Sequence, residues 1–204
     1  MTSAEIEAAV AAAGLAALPP GAAEQLAAYL ALLLKWNSKL NLTAVREPGE
    51  IVRRHLVECV QCAQVLPEVQ TLLDFGSGAG LPGVLIAIAR PEIRVTLGES
   101  QGKKAAFLRE AVRTLRLNVE VFDQRIEKMA TERVFDAVTV RAVDKMAKAC
   151  QEAAERLGAG GWLVVFATAG TEEGLRFELP EVDWERRVRI VGLTGGLLLL
   201  GRKR

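Results

Sequence analysis

From Thr71 onward, short runs rich in β-branched and aromatic residues alternate with stretches of helical periodicity. That alternation restricts the chain to a mainly parallel sheet with helices on both faces. The expected strands cover 71–75, 94–97, 119–122, 135–140 and 162–167, with helices over 81–89, 103–115 and 145–157. After Gly170, two further runs at 184–191 and 197–202 flank Gly195-Gly196 and read as an antiparallel hairpin, giving seven strands in all. Upstream of Thr71 no strand is expected. Thr2 and Glu5 have capping-box spacing ahead of a short helix stopped by Gly14, and Leu18-Pro19-Pro20-Gly21 is a turn. Leu26, Tyr29, Leu30, Leu33 and Leu40 recur at helical spacing, which predicts an amphipathic helix from Ala22 to about Asn37. Residues 41–49 read as a loop and 50–66 as a helix closed by Pro67. The chain thus divides into a helical extension, 1–69, and an α/β domain, 70–204.

Composition narrows the class. With 50% hydrophobic and 25% charged residues the chain can bury a real core, and its apolar runs fall far short of the roughly 20 residues of a membrane span. Glu5 and Glu7 stand where a secretory signal would be positive, so a cytoplasmic monomer without membrane contact is expected. Lys and Arg number 26 against 25 Asp and Glu, so a polyanionic partner must be met by a local patch.

The most informative stretch is Leu72 to Gly83, where a strand runs into Gly76, Gly78 and Gly80 and Pro82 opens a helix. In an open α/β sheet this is a ligand crevice. Gly78 to Gly83 also fits the dinucleotide pattern G-x-G-x-x-G, so the nucleotide must be chosen on other grounds. Asp74, two residues before the first glycine, can hold the cationic amino end of S-adenosylmethionine, a group a dinucleotide lacks. Glu99, after the second strand, suits the ribose hydroxyls of either ligand. The single tyrosine, Tyr29, lies in the N-terminal helix, so the Tyr-x-x-x-Lys relay of a short-chain dehydrogenase is missing. Methyl transfer is the better reading.

The combination of Lys35-Trp36-Asn37, Asn41-Leu42-Thr43, Arg54-His55-Leu56, Asp74 to Gly83, Gly102-Lys103-Lys104, Phe107-Leu108-Arg109, Arg125-Ile126-Glu127, Phe135-Asp136 and Arg141-Ala142 resembles the RsmG (GidB) family of bacterial 16S ribosomal RNA guanine-N7 methyltransferases. The resemblance implies a class I, Rossmann-like methyltransferase fold, S-adenosylmethionine as donor and S-adenosylhomocysteine as product. The implied partner is small-subunit ribosomal RNA or an assembling 30S particle. It also implies that Gly76 and Leu81 line the donor, that Ile126 and Glu127 flank its adenine, and that Arg141 reaches the donor or the guanine. Three departures stand out. Glu99 and Glu58 replace the family's usual Asp, and Ala167-Thr168-Ala169-Gly170 lacks the usual Lys-Gly after the fifth strand.

Methylation at guanine N7 uses a lone pair that carries no proton, so no general base is expected, and catalysis reduces to orientation with water excluded. Asn37, Asn41 and Arg141 are the candidates for fixing the guanine edge. For RNA phosphates, Arg53, Arg54, His55, Lys103, Lys104 and Arg125 are favoured from a wider basic set that includes Arg46, Arg109, Arg113, Lys145 and Lys148. His55, Cys59, Cys62 and Cys150 could be imagined around zinc, but three ligands from one helix make a poor tetrahedron, so no metal is expected and the thiols read as buried and inert. Trp162 reads as core rather than as a base-stacking platform. A partner-binding module without catalysis is the reading from another class; binding of S-adenosylmethionine separates the two.

Overall fold

The computed structural model describes residues 1–43 and 47–204, without the side chains of Pro48, Arg53 and Arg54. Arg46 therefore lies outside the described residues, as do the side-chain positions expected for Arg53 and Arg54. Seven strands, β1 (Thr71–Phe75), β2 (Arg94–Gly98), β3 (Val119–Phe122), β4 (Phe135–Val140), β5 (Leu157–Thr168), β6 (Val182–Arg189) and β7 (Gly196–Lys203), lie in the order β3-β2-β1-β4-β5-β7-β6. The first five pair in parallel; β7 runs antiparallel between β5 and β6. Sequence order reverses at β1, between β2 and β4, which is the switch point where such sheets open a crevice.

Alternation along the strands builds two cores. Leu72, Val164, Leu198 and Leu200 point to one face, while Leu73, Leu163, Val165, Leu197 and Leu199 point to the other. The first face is covered by α5 (Gly83–Ala89) and α6 (Gly102–Leu115), and by the N-terminal helices α1 (Ser3–Ala12), α2 (Ala22–Leu40) and α4 (Val57–Val65). The second is covered by α7 (Met146–Glu155) and α8 (Ala169–Glu178). The extension is therefore part of the main core: Leu26, Tyr29 and Leu33 are buried with Phe107 and Leu108 of α6. The capping box forms as expected, with the Glu5 N–H donating to Thr2 Oγ1 and the Thr2 N–H to Glu5 Oε2.

Three local differences from the expected elements have physical causes. The helix expected over 50–66 is α3 (Pro48–Ile51), a π-helical turn at Val52–Leu56, and α4. The Val57 N–H bonds to Val52 O, one residue further than in an α-helix, an insertion that apolar periodicity does not reveal. α8 falls in a stretch to which the sequence pattern assigned no element; Thr171 Oγ1 accepts from the Thr168 N–H at its start, and Leu175 anchors it in the second core. β5 begins at Leu157 rather than 162, so Trp162 sits mid-strand, half-buried, with the Arg202 guanidinium 5.4 Å from its ring centroid.

Candidate active site

β1 delivers the glycine loop, and its three glycines do different work. Gly76 (φ 70°) forms part of the wall of two cavities, in a backbone conformation that a residue with a Cβ rarely adopts, and a Cβ there would stand 3.2 Å from Val143 Cγ1. Gly78 places its N–H on Glu99 Oε2 (2.9 Å). Gly80 faces inward: a Cβ there would stand 2.5 Å from Val84 Cγ2 and 3.1 Å from Leu108 Cδ2, so it lets the loop pack against α5 and α6. From the other side the Tyr29 hydroxyl, buried in α2, donates to Ala79 O at 2.6 Å. The sequence reading treated Tyr29 as core alone. A lone phenol in an otherwise aliphatic helical stripe is the signal that could have identified this brace.

Asp74, expected to reach the donor's amino end, is engaged with the protein itself. Its side chain is 1% exposed, accepts from the Gly83 N–H (3.1 Å) and the Thr139 hydroxyl (2.8 Å), and is not among the cavity-lining residues. Burial raises its pKa, against the opposing pull of these hydrogen bonds. The carboxylate thus ties the loop to the start of α5 and to β4.

Two cavities meet at Gly76. The smaller, about 200 Å³, lies at the ends of β1 to β3 and is lined by Phe75, Gly98, Glu99, Arg125, Ile126 and Glu127 among others. Glu99 accepts from Gly78 and Gln101 N–H groups and keeps further acceptor capacity on its two oxygens. Gly98 leaves room there for Ile126, since a Cβ would stand 2.5 Å from Ile126 Cδ1 and push that side chain aside. The larger, about 650 Å³, is bounded on the sheet side by Gly76 to Ala79, Leu81, Arg141 and Ala142, and on the helical side by Leu42, Thr43, Glu47, Glu50, His55 and Lys104.

Arg141 directly follows β4 at the larger cavity, and the next residue, Ala142, adopts the left-handed conformation (φ 50°), an unusual backbone for a residue with a Cβ. One guanidinium nitrogen, Nη2, donates both to His55 Nδ1 (2.9 Å) and to Glu58 Oε2 (2.9 Å), while the Phe166 ring centroid lies 5.4 Å from Cζ. Because a guanidinium only donates, His55 Nδ1 must accept, so the neutral ring carries its hydrogen on Nε2 and donates it to Thr43 Oγ1 (3.1 Å).

Neither of the two asparagines expected at the guanine edge lines the larger cavity. Asn37 is buried, and its amide oxygen accepts from the Thr43 N–H (2.8 Å). Asn41 ends α2 in the left-handed conformation (φ 49°), the usual role of asparagine or glycine past a helix. Of the basic residues, Lys104, His55 and Arg141 line the larger cavity and Arg125 the smaller; Lys103 is exposed at the start of α6. Of the wider basic set, Arg109 pairs with Asp123 and Lys148 with Glu152 at the surface, while Arg113 and Lys145 are exposed outside both cavities. Among the described residues no three His, Cys, Asp or Glu side chains are arranged to hold a metal ion. Burial pushes the Cys59 and Cys150 thiols up to about 12, so both stay protonated.

Comparison with solved structures fixes the class. The chain superposes on Pyrococcus horikoshii TYW2 in complex with MeSAdo with a TM-score of 0.60, at 16% identity over 72% of this chain and 62% of that one. It superposes on the N-methyltransferase NodS from Bradyrhizobium japonicum WM9, in complex with S-adenosyl-L-homocysteine, with a TM-score of 0.60, at 19% identity over 84% and 98%. The fold is that of the class I methyltransferases, a seven-stranded, mostly parallel sheet with an antiparallel C-terminal pair.

Residues 22–178 match the family model described as rRNA small subunit methyltransferase G, and the chain belongs to that family. Proteins named Ribosomal RNA small subunit methyltransferase G are similar to it. The protein of Xanthomonas oryzae pv. oryzae (strain MAFF 311018) is 38% identical over 80% of this chain and 83% of its own length. That of Stenotrophomonas maltophilia (strain K279a) is 41% identical over 82% and 80%. That of Xanthomonas axonopodis pv. citri (strain 306) is 45% identical over 67% of this chain, a match spanning 64% of the relative.

Proposed function

We propose that this chain transfers the methyl group of S-adenosylmethionine to N7 of a guanine in 16S ribosomal RNA, acting in the cytoplasm as a monomer on the RNA or on an assembling 30S particle. The observation that carries this reading is the divided crevice at the switch point, with Gly76 between a cavity edged by the Glu99 carboxylate and a larger one holding Arg141, in a chain of this family.

The residues present fit such a donor. Ile126 gives an apolar wall for adenine, Glu127 stands beside it, and the free acceptor capacity of Glu99 suits a ribose diol. Gly76, Gly78 and Leu81 let the methionine portion approach the loop backbone; Asp74, Gly80 and Tyr29 keep that loop in shape. When bound, the donor supplies an electrophilic methyl on a sulfonium. The chain's part is to hold the purine in line at ~3 to 3.5 Å and to exclude water. Arg141 offers N–H donors to O6 on the acceptor edge of guanine, which leaves the N7 lone pair free to attack. Asn37 and Asn41 set the position of Thr43, and so of His55, which borders the same cavity. Lys103, Lys104 and Arg125, with Arg53 and Arg54 of the π-turn segment, supply the phosphate contacts that a chain of net charge +1 lacks on average, while both His55 ring nitrogens are engaged by Arg141 and Thr43.

The test is incubation with methyl-labelled S-adenosylmethionine and either naked small-subunit RNA or 30S particles, followed by mapping of the labelled atom. Label on guanine N7 is the expected result. Label on another base or on protein, or S-adenosylhomocysteine binding without transfer to either substrate, sinks the assignment.

A further inference from the structure

The Arg141 guanidinium is held unusually tightly for a group lining an open cavity. Its side chain is 14% exposed and that of Glu58 is 6% exposed. Both hydrogens of Nη2 are taken, one by Glu58 and one by His55, while Phe166 covers one face of the group. A guanidinium has five N–H donors. Among the described residues those on Nε and Nη1 meet no acceptor, and neither nitrogen is among the sealed polar atoms, so they are open to the cavity that Arg141 lines. Charge matters as much as direction. As a methyl passes from sulfonium to N7 the purine gains positive charge, and an uncompensated guanidinium beside it would oppose that change.

We propose that Glu58 is a positioning residue that works through Arg141. Together with His55 it fixes the guanidinium so that its remaining donors meet the O6 side of the target guanine, and its carboxylate cancels the positive charge that would otherwise resist methyl transfer. Glu58 does not line the cavity, so it acts at second hand. Arg141 supplies a rigid donor fork of almost no net charge, which is what an acceptor edge about to become cationic requires. The proposal rests on the guanine-N7 reading given above.

Three variants test it: Glu58→Gln, Arg141→Gln and the double replacement, which leaves no unpaired buried charge and so protects against simple misfolding. Glu58→Gln keeps an oxygen to accept from Nη2 but removes the charge. It should lower kcat about 10- to 100-fold while S-adenosylhomocysteine affinity, measured by calorimetry, stays within about threefold. The double variant should be no slower than Arg141→Gln alone. His55 is the sole histidine, so its imidazole 15N resonances are assigned at once. In the ligand-free protein they should report the Nε2–H tautomer, kept in Glu58→Gln and lost in Arg141→Gln. Effects on kcat that multiply in the double variant, an unaltered kcat in Glu58→Gln, or a loss confined to S-adenosylhomocysteine affinity each overturn the proposal. The last would place Arg141 on the donor's carboxylate instead. Failure of the wild-type protein to methylate guanine N7 is a different result, and it removes the underlying reading rather than the coupling.

Discussion

The two ends of the sheet make an instructive pair. The larger cavity of the molecule, about 810 Å³, lies at the amino ends of the strands, against about 650 Å³ for the Arg141 cavity at the carboxyl ends. Yet several of the polar groups of the larger one are already committed within the protein. Asp136 Oδ2 accepts from the Gln70 N–H, the Thr71 N–H and the Thr71 hydroxyl. Arg90 donates to Ala63 O and Leu66 O and pairs with Glu92, while Arg202 donates to Gly160 O and stacks on Trp162. At the carboxyl end, left-handed glycines leave backbone uncovered, Glu99 keeps acceptor capacity and Arg141 keeps donors. Volume therefore does not distinguish the two ends; polar capacity left over after folding does.

The contrast can be broken most sharply at Gly76. Gly76→Leu should reduce S-adenosylhomocysteine affinity at least ~100-fold, ~2.8 kcal/mol by calorimetry, with the circular dichroism spectrum retained. Retained affinity would mean that the wrong end has been chosen. Next in size, the Lys103→Ala, Lys104→Ala double variant should weaken RNA binding ~10-fold and flatten the slope of log K against log salt by about 1 per lost phosphate contact. Arg202→Ala, at the opposite end, should leave that slope unchanged. Asp136→Ala should cost about 1–2 kcal/mol in urea unfolding, since it removes the carboxylate that accepts from two N–H groups and a hydroxyl, and leave S-adenosylhomocysteine affinity alone.

The smallest effect belongs to Asp74→Asn. Burial raises the carboxyl pKa in the folded state, so the ionised wild-type residue penalises folding above that raised pKa, and the penalty vanishes as pH falls below the ordinary carboxyl value. Asparagine can still accept from the Gly83 N–H while Thr139 turns its hydroxyl toward Leu73 O, so the variant should be slightly more stable at neutral pH and equal to wild type in acid. Chemical denaturation across pH checks this. A large loss of S-adenosylhomocysteine affinity in the same variant would return Asp74 to the ligand.

Most of the sheet was legible because strand alternation and glycine punctuation are local signals: 119–122 and 135–140 were read to the residue, and the hairpin around Gly195-Gly196 was found. The π-turn was not legible, because an added residue in a hydrogen-bond ladder leaves hydrophobic spacing nearly unchanged. α8 was hidden by glycines that only its packing on the second core overrides. At the site, motif position was enough to put the loop, Glu99 and Arg141 on the crevice they line. The hydrogen-bond partners of Asp74, Asn37 and Tyr29 were not legible, since which atom a buried side chain meets depends on elements far away in the chain, as with Tyr29 and Ala79.

By itself the sequence determined the parallel-sheet class, the switch-point loop and the family to which the chain is similar, because periodicity and glycine placement act over a few residues. Only the tertiary structure decided which polar groups satisfy one another and which stay open. A hydrogen bond between Arg141 and Glu58 joins residues 83 positions apart, and no local pattern encodes that meeting.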